Sequence, residues 1–457
     1  MDSKIKTLIS LISDVYQLSG HHILESYDVI LSLSSWTALS RIADTGKSRG
    51  ATTSDFIPDT EFVLAPDSRL LISALKSRER YLGSSWTGAL GLDSSLFDGI
   101  SSSDLRAILT ALNKLFQADE NPATVLSEIF DQLEYLLSSS QKGDNLYVPP
   151  KEIALVMGHY LASNEGITLY DPFSRTGNLI MQALENLPSV KSVFTFAPVN
   201  LLWKLTKLRI LFLSQRRDIN IGKEFSLLKL VDRKFDFIIC NPPFGQHAPG
   251  DRQFSNIGGE WEDLIRKSRR IELFYLAHIL THLADSGRAT VLLPGIFLSD
   301  SLAVREITGR LIEQNLIDAV ISMPGGLFTQ TGISTVMVCI NKARTEHAPV
   351  LIADAAAEVE RLGRQLILKP EKVLYWLDKL KTAESIKVDR YAVMVSTEEI
   401  RQHSFELMIK SYIGQEVDWG QRVSAKELKV EYEKLEGELF GIQKDIDHFL
   451  SNSPFLK

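Results

Sequence analysis

Two short segments carry residue types whose spacing suits chemistry. The first is Phe235-Asp-Phe-Ile-Ile-Cys-Asn241-Pro242-Pro243-Phe244-Gly245. Two prolines cannot continue a central strand, so an apolar strand ending at Cys240 must turn out of its sheet there. The stiff turn would hold the Asn241 amide and the neighbouring carbonyls as acceptors for a planar amine, with the Phe244 ring beside them to stack on the ring bearing that amine. An adenine taken out of a duplex needs those two contacts. A plain Asn-Pro turn is the alternative, and the strand context together with the second segment weighs against it. That second segment is Leu169-Tyr-Asp171-Pro172-Phe-Ser-Arg175-Thr176-Gly177-Asn178. An acidic residue followed by a glycine-bearing turn and a helix start suits a nucleoside cofactor, because the turn admits close backbone approach and the helix N-terminus carries positive partial charge. With one glycine, the segment also reads as an ordinary strand-to-helix turn, and in isolation that plainer reading prevails.

The elements that must hold these turns come in three textures. From residue 146 to about 355, short apolar runs alternate with helical patterns. The expected strands are Ile167–Tyr170, Val190–Phe196, Phe235–Cys240, Ala289–Leu293, Ile317–Ser322, Thr335–Asn341 and Val350–Ala353, and the helices between them include Val199–Leu213 and Leu273–Leu283. Such alternation predicts an α/β fold with a mostly parallel sheet covered on both faces. Ligands on such sheets sit beyond the carboxyl ends of the strands, where both turns fall. Residues 1–138 read as helical and rich in Ser and Leu, with Leu24, Tyr27, Leu31 and Trp36 near one face of a helix over 22–43 and a second helix over Ala123–Leu137. A polar stretch, Ser138 to Asn145, marks the boundary. Near the end, Leu428, Tyr432, Leu435, Leu439, Ile442, Ile446 and Phe449 follow heptad spacing, while Gly437 and Gly441 lower the intrinsic helicity. This helix packs either on its own domain or on another chain. The expected division is 1–138, 146–415 and 420–457.

Composition narrows the functional classes. The 457 residues carry a net charge of −7, which argues against wrapping nucleic acid by a broad basic surface alone. Hydrophobic residues make up 44% and charged residues 23%, the balance of a folded globular chain rather than a disordered one. Cys240 and Cys339 are too few for a disulfide framework or a four-thiolate zinc site. No signal peptide is convincing and no window approaches a membrane span, so a cytoplasmic protein is expected. The basic run Arg266-Lys-Ser-Arg269-Arg270 reads equally as a phosphate-contacting segment or a solvated helix face. Cys240 reads as a packed thiol.

The Asn241-Pro-Pro-Phe244 tetrapeptide resembles the catalytic pattern of S-adenosylmethionine-dependent amino-methyltransferases acting on adenine in DNA. The surrounding sequence is similar to the modification subunit of type I restriction–modification systems over nearly the whole chain. The similarity takes in Tyr27–Leu39, Tyr147-Val-Pro149-Pro150, Leu273-Phe-Tyr-Leu-Ala-His278, Gly287 to Pro294, Ile321 to Phe328 and Thr331 to Thr335. The order also matches: the Pro149 turn, the Asp171 turn, then Asn241, with no large target-recognition domain afterwards. The resemblance implies the class I methyltransferase fold, a Rossmann-like, mostly parallel seven-stranded sheet, and S-adenosylmethionine as cofactor. It implies double-stranded DNA, a separate specificity subunit docked by the C-terminal helix, and in some assemblies a restriction subunit or a second copy as partners. Carried over by position, Asn241 and the Pro242 carbonyl accept from the target amino group, Pro243 stiffens the turn and Phe244 stacks on the flipped base. No metal is required.

On the cofactor side the resemblance points to Tyr147, Pro149, Pro150, Asp171, Pro172, Arg175, Thr176, Gly177, Asn178, Ala197, Lys223 and Glu224. Three of these depart from the family pattern. Arg175 replaces the first glycine of a D-P-x-x-G-x-G loop, and a positive φ there would cost ~1–2 kcal/mol. Ala197 falls where a carboxylate holds the ribose hydroxyls. Lys223 replaces the acidic residue of a Gly-Asp pair, with Glu224 one residue on as a substitute. The expected function is therefore adenine-specific DNA methylation within a type I-like complex. The alternatives are a catalytically impaired subunit that binds DNA or partners, and a methyltransferase acting on glutamine side chains.

Overall fold

Alternate residues along the apolar runs belong to two different hydrophobic clusters, and that alternation explains the architecture. In β1 (Thr168–Asp171) Leu169 joins one cluster and Tyr170 the other; in β4 (Phe235–Cys240) Phe237 and Ile239 oppose Ile238 and Cys240. A strand that buries both faces requires a covered sheet. The computed structural model describes residues 2–45, 67–116, 121–140, 148–196, 200–214, 220–224, 233–245, 261, 270–298, 302–328, 332–363, 365–382, 391–412, and in the tail only 436–437, 441–442 and 444. Met1–Tyr412 forms one compact unit and Ile413–Lys457 a second. The tail residues described are helical, and the rest of the expected heptad helix lies outside the described residues.

The remaining strands are β2 (Ser192–Phe196), β3 (Asn220–Glu224), β5 (Leu283–Pro294), β6 (Ile317–Met323), β7 (Thr335–Asn341), β8 (Val350–Asp354), β9 (Val359–Leu362), β10 (Gln365–Leu368) and β11 (Ala392–Val395). Among the described residues, nine strands form one sheet in the order β11-β8-β6-β7-β5-β4-β1-β2-β3, and β9 pairs with β10 apart from it. Strands β1 to β5 run parallel, whereas β7 lies antiparallel between β5 and β6. The stretch β3-β2-β1-β4-β5-β7-β6 is the class I methyltransferase sheet. Its order reverses between β1 and β4, which opens a crevice at their carboxyl ends.

Seven expected strands are present, with β5 extended backward to Leu283 through a register shift opposite Phe235–Phe237. The structure adds β3, β9, β10 and β11. Strand β3, Asn-Ile-Gly-Lys-Glu, lies at the sheet edge, where half its backbone needs no covered face and no apolar run announces it.

The first cluster gathers the N-terminal helices α1 (Asp2–Leu18), α2 (Ile23–Thr45), α3 (Ser68–Leu82), α4 (Ser102–Phe116) and α5 (Pro122–Ser140). It also takes in α6 (Lys151–Leu161), α7 (Asn178–Glu185) and α8 (Asn200–Leu213). The second cluster contains α9 (Ile271–His282), α10 (Leu302–Glu313) and Ile400 of α12 (Thr397–Gln402); α11 (Pro370–Lys381) packs with the first. Helix α2 departs from the one-faced pattern expected of it: every residue from Val29 to Ser40 is buried. Two of its buried hydroxyls bond back along the helix, Thr37 Oγ1 to Leu33 O at 2.8 Å and Ser40 Oγ to Trp36 O at 3.0 Å. Both cysteines are free and buried, and burial raises their thiol pKa values, so neither is primed as a nucleophile. Among the described residues no helix is long and apolar enough to cross a membrane.

Candidate active site

The crevice between β1 and β4 brings the two sequence segments together. A hollow with about 230 Å³ of empty space, open solvent included, is lined by Pro149, Asp171, Phe173, Arg175, Thr176, Gly177, Asn178, Leu179 and Asn241. Asp171 closes β1 and Asn241 follows directly on β4, so neighbouring parallel strands deliver a carboxyl and an amide to one opening. Pro149 joins them from the turn before α6, and Pro150 caps that helix.

Asp171 is 1% exposed, and its Oδ1 accepts from the Phe173 amide at 2.9 Å. Burial pushes its carboxyl up to about 7, while the Phe173 amide, the Arg175 charge and Ser174 pull it down. A carboxyl poised near neutrality beside a hollow is a group that gains from an incoming cation or hydrogen-bond donor. Pro172 starts the turn, and Gly177 ends it at φ 80 as the N-cap of α7. That glycine is needed twice. Its left-handed backbone disfavours other residues, and an added Cβ would lie 3.0 Å from Thr206 Cα on α8.

The strain anticipated at Arg175 is absent, because the positive φ of this turn falls on Gly177. Arg175 is nevertheless turned inward. It is 6% exposed, and its guanidinium lies 4.5 Å from the centre of the Phe173 ring. Phe173 in turn meets Tyr275 of α9 edge-on at 5.3 Å. The long cation that replaces the expected glycine thus lines the hollow.

On the β4 side, Asn241, Pro242, Pro243 and Phe244 are all buried. Phe244 packs edge-on against Phe328, 6.1 Å between centres and 85° between planes. The amide of Gly245 donates to Glu272 Oε1 at 2.7 Å, and Glu272 is itself buried on α9. The turn is therefore held by its prolines, an aromatic contact and a charged hydrogen bond.

Of the other expected residues, Lys223 and Glu224 lie on β3, with backbone register opposite Thr195 and Phe196 of β2. Asn241, Asp171, the end of β2 and Lys223–Glu224 thus follow one another along one sheet edge. Three strand spacings cover ~14 Å, room for an extended nucleoside amino acid. Tyr147 and Ala197 lie outside the described residues, as do Arg266 to Arg269.

Sequence reasoning missed the polar support under the Asp171 turn. Thr176 Oγ1 donates to Glu134 Oε1 of α5 at 2.8 Å, and Arg209 of α8 bridges Glu134 Oε2 at 2.7 Å and the Thr176 carbonyl at 3.2 Å. Glu134 is 42 residues from Thr176, and a lone acidic residue on an amphipathic helix reads as a solvated face. Glu272 escaped for the same reason.

Comparison with known proteins agrees with this geometry. Residues 123–419 match the family model described as N-6 DNA Methylase. A type I restriction enzyme MpnII methylase subunit from Mycoplasma pneumoniae is 22% identical over 344 residues, covering 70% of this chain and 63% of that protein. The HindI methylase subunit from Haemophilus influenzae is 25% identical over 312 residues, 62% of this chain and 67% of that one. The chain spans 63% and 59% of the length of two of these curated relatives, the second a MjaIX methylase subunit from Methanocaldococcus jannaschii. Among solved structures, a type I restriction-modification methyltransferase subunit from Streptococcus thermophilus superposes with TM-score 0.64 at 17% identity, covering 90% of this chain and 100% of that one. A modification subunit of a putative type I restriction enzyme from Vibrio vulnificus does so with TM-score 0.68 at 15% identity, covering 88% and 93%. With well over half of its length, residues 123–419, inside the family match, this chain belongs to the N-6 DNA methylase family.

Proposed function

We propose that the chain is the adenine-specific methyltransferase subunit of a type I restriction–modification complex, using S-adenosylmethionine to methylate the exocyclic amino group of a flipped adenine. The observation that carries this reading is the convergence of two buried residues, Asp171 and Asn241, from adjacent strand ends onto one hollow.

The residues there fit the cofactor by their donor chemistry. Asp171 offers a carboxyl whose burial is relieved by a cationic or hydrogen-bonding partner, and the first amides of α7 face an anionic group. Pro149, Pro150, Asp171, Pro172, Thr176, Gly177 and Asn178 would hold the amino-acid end, and Lys223 or Glu224 at the β3 end the nucleoside. Arg175 lines the same opening and takes up part of its room. When bound, the cofactor supplies a methyl group already activated on sulfonium sulfur.

The chain's own residues then act by position. Asn241 Oδ1 and the Pro242 carbonyl accept hydrogen bonds from the target amine, which localises its lone pair toward the incoming methyl. Pro242 and Pro243 keep those acceptors fixed, and most of the rate comes from alignment. Phe244 supplies the stacking surface, which its packing on Phe328 must yield as the base enters. A net charge of −7 leaves DNA affinity dependent on a partner, and the tail bearing Leu428 to Phe449 is the docking element for a specificity subunit.

The test is methylation of duplex DNA by the chain purified with its cognate specificity subunit, with N6-methyladenine measured by mass spectrometry. Formation of N6-methyladenine that disappears in Asn241→Ala is the expected outcome. A complex that binds DNA and S-adenosylmethionine yet forms none overturns the reading.

A further inference from the structure

The turn that lines the hollow is not self-supporting. Thr176 is gripped at both its hydroxyl and its carbonyl by the Glu134–Arg209 pair, and Gly177 rests against Thr206. Ser174 Oγ lies 3.3 Å from Thr206 Oγ1. Arg209 is 3% exposed and Glu134 14%, so solvent does not compete strongly for these bonds. The outer end of the bridge differs: Arg209 Nη2 meets Asp131 at 2.9 Å, but Asp131 is 67% exposed and makes no hydrogen bond to the turn.

We infer that Glu134 and Arg209 are positioning residues for cofactor binding, holding the Thr176–Gly177 backbone in its binding geometry from α5 across α8. The inference rests on the reading of this hollow as the S-adenosylmethionine site. Two properties of the turn make outside support necessary. Its residue 175 is arginine, whose guanidinium stacks on Phe173 and whose charge acts on Asp171. Its only glycine, Gly177, is committed to the helix cap. The geometry of Thr176 is then set by hydrogen bonds from outside the turn: its hydroxyl is held by Glu134 of α5, in the N-terminal region, and its carbonyl by Arg209 of α8, which Glu134 also binds. Displacing α5 displaces Glu134, and with it the hydroxyl it accepts from and the Arg209 that holds the carbonyl. Cofactor affinity is thereby linked to the state of that helical region.

Calorimetric titration of S-adenosylmethionine into the full chain tests this, with Tm recorded for every variant. Glu134→Gln, which removes the charge of the acceptor, and Thr176→Val, which removes the donor, are each expected to weaken binding about tenfold, the worth of one buried hydrogen bond to a charged group. The double variant is expected to lose no more than the worse single one, because both changes act on the same hydrogen bond. Thr176→Ser, which keeps the hydroxyl, restores affinity, and Asp131→Asn leaves it within twofold although it removes a charge from the same arginine. Binding by Glu134→Gln within twofold of the natural chain overturns the inference, and so does a fully multiplicative loss in the double variant. Should Glu134→Gln fail to fold, the Thr176→Val and Thr176→Ser pair decides alone: equal affinities overturn it. A natural chain that binds no S-adenosylmethionine removes the cofactor reading itself and the inference with it, an outcome distinct from a natural chain that binds and variants that do so equally.

Discussion

The two turns at the mouth of the crevice are built on opposite principles. The turn after β4 is stiff by covalent structure, with two prolines, and is backed by an aromatic contact and one bond to Glu272. The turn after β1 carries a buried carboxyl, a buried guanidinium and a glycine, and it is held by polar groups from α5 and α8. The first tolerates change around it because its shape is local. The second is sensitive to its surroundings because the hydroxyl and carbonyl of Thr176 are held by residues distant in sequence. This difference explains how Arg175 fits where a glycine was expected: the positive φ falls on Gly177, and the cation finds Phe173 and Asp171.

The sharpest way to separate the two turns is to remove the acceptor from the stiff one. Asn241→Ala is expected to lower methyl transfer about 100- to 1000-fold, the loss found when one preorganised polar group is removed from a reacting centre. Cofactor affinity should stay within a few-fold, as read by calorimetry beside N6-methyladenine formation. A comparable loss of affinity would break the assignment of the two turns to separate tasks.

Asp171→Asn should reverse that pattern, weakening S-adenosylmethionine binding about 10- to 100-fold. The same change should stabilise the fold in a pH-dependent way. The folded pKa of about 7 lies above the ordinary carboxylate value of 3.8, so the folded state binds more protons between them. Stability of the natural chain therefore falls as pH rises through that window and levels off above about 7. The Tm gain from Asp171→Asn should accordingly be larger at pH 8.5 than at pH 5, by about 2–4 °C. An equal gain at both values would refute the raised carboxyl.

Arg175→Gly tests whether the cation narrows the hollow. Removing it opens space and eliminates a positive charge near a sulfonium cofactor, so binding should tighten about fivefold at pH 8.5. Since the Arg175 charge lowers the Asp171 pKa, the pH at which affinity declines should also move upward. Weaker binding in the glycine variant would assign Arg175 a holding role instead. The smallest effect is expected from Glu272→Gln, which keeps an acceptor for the Gly245 amide but removes its charge. A few-fold drop in kcat, with a stability cost of about 1 kcal/mol by denaturant titration, is expected.

Legibility in the sequence followed the same division. Asn241-Pro-Pro-Phe244 was readable because its geometry is written in adjacent residues. Strands β4 and β7 were readable to the residue because buried strands are continuous apolar runs. Strand β3 was not, since an edge strand containing Gly222 and Lys223 carries no such run. Helix α2 was located but misjudged, because its small hydroxyl residues look solvated and are buried, Thr37 and Ser40 with bonds to their own backbone. Glu134 and Glu272 left no trace, as nothing in the chain near either one points to the turn it supports.

By itself, the sequence determined the α/β class, the two strand-end turns and the residues Asp171 and Asn241 that line the opening there. These follow from local periodicity and from prolines and glycine, whose backbone preferences act within a few residues. Only the tertiary structure decided that α2 is central, that Arg175 turns inward over Phe173, and that Glu134 and Arg209 reach Thr176. Such facts depend on which buried charges meet after distant segments pack. Burial makes those meetings strong and sequence separation hides them, so they appear only once the chain is folded.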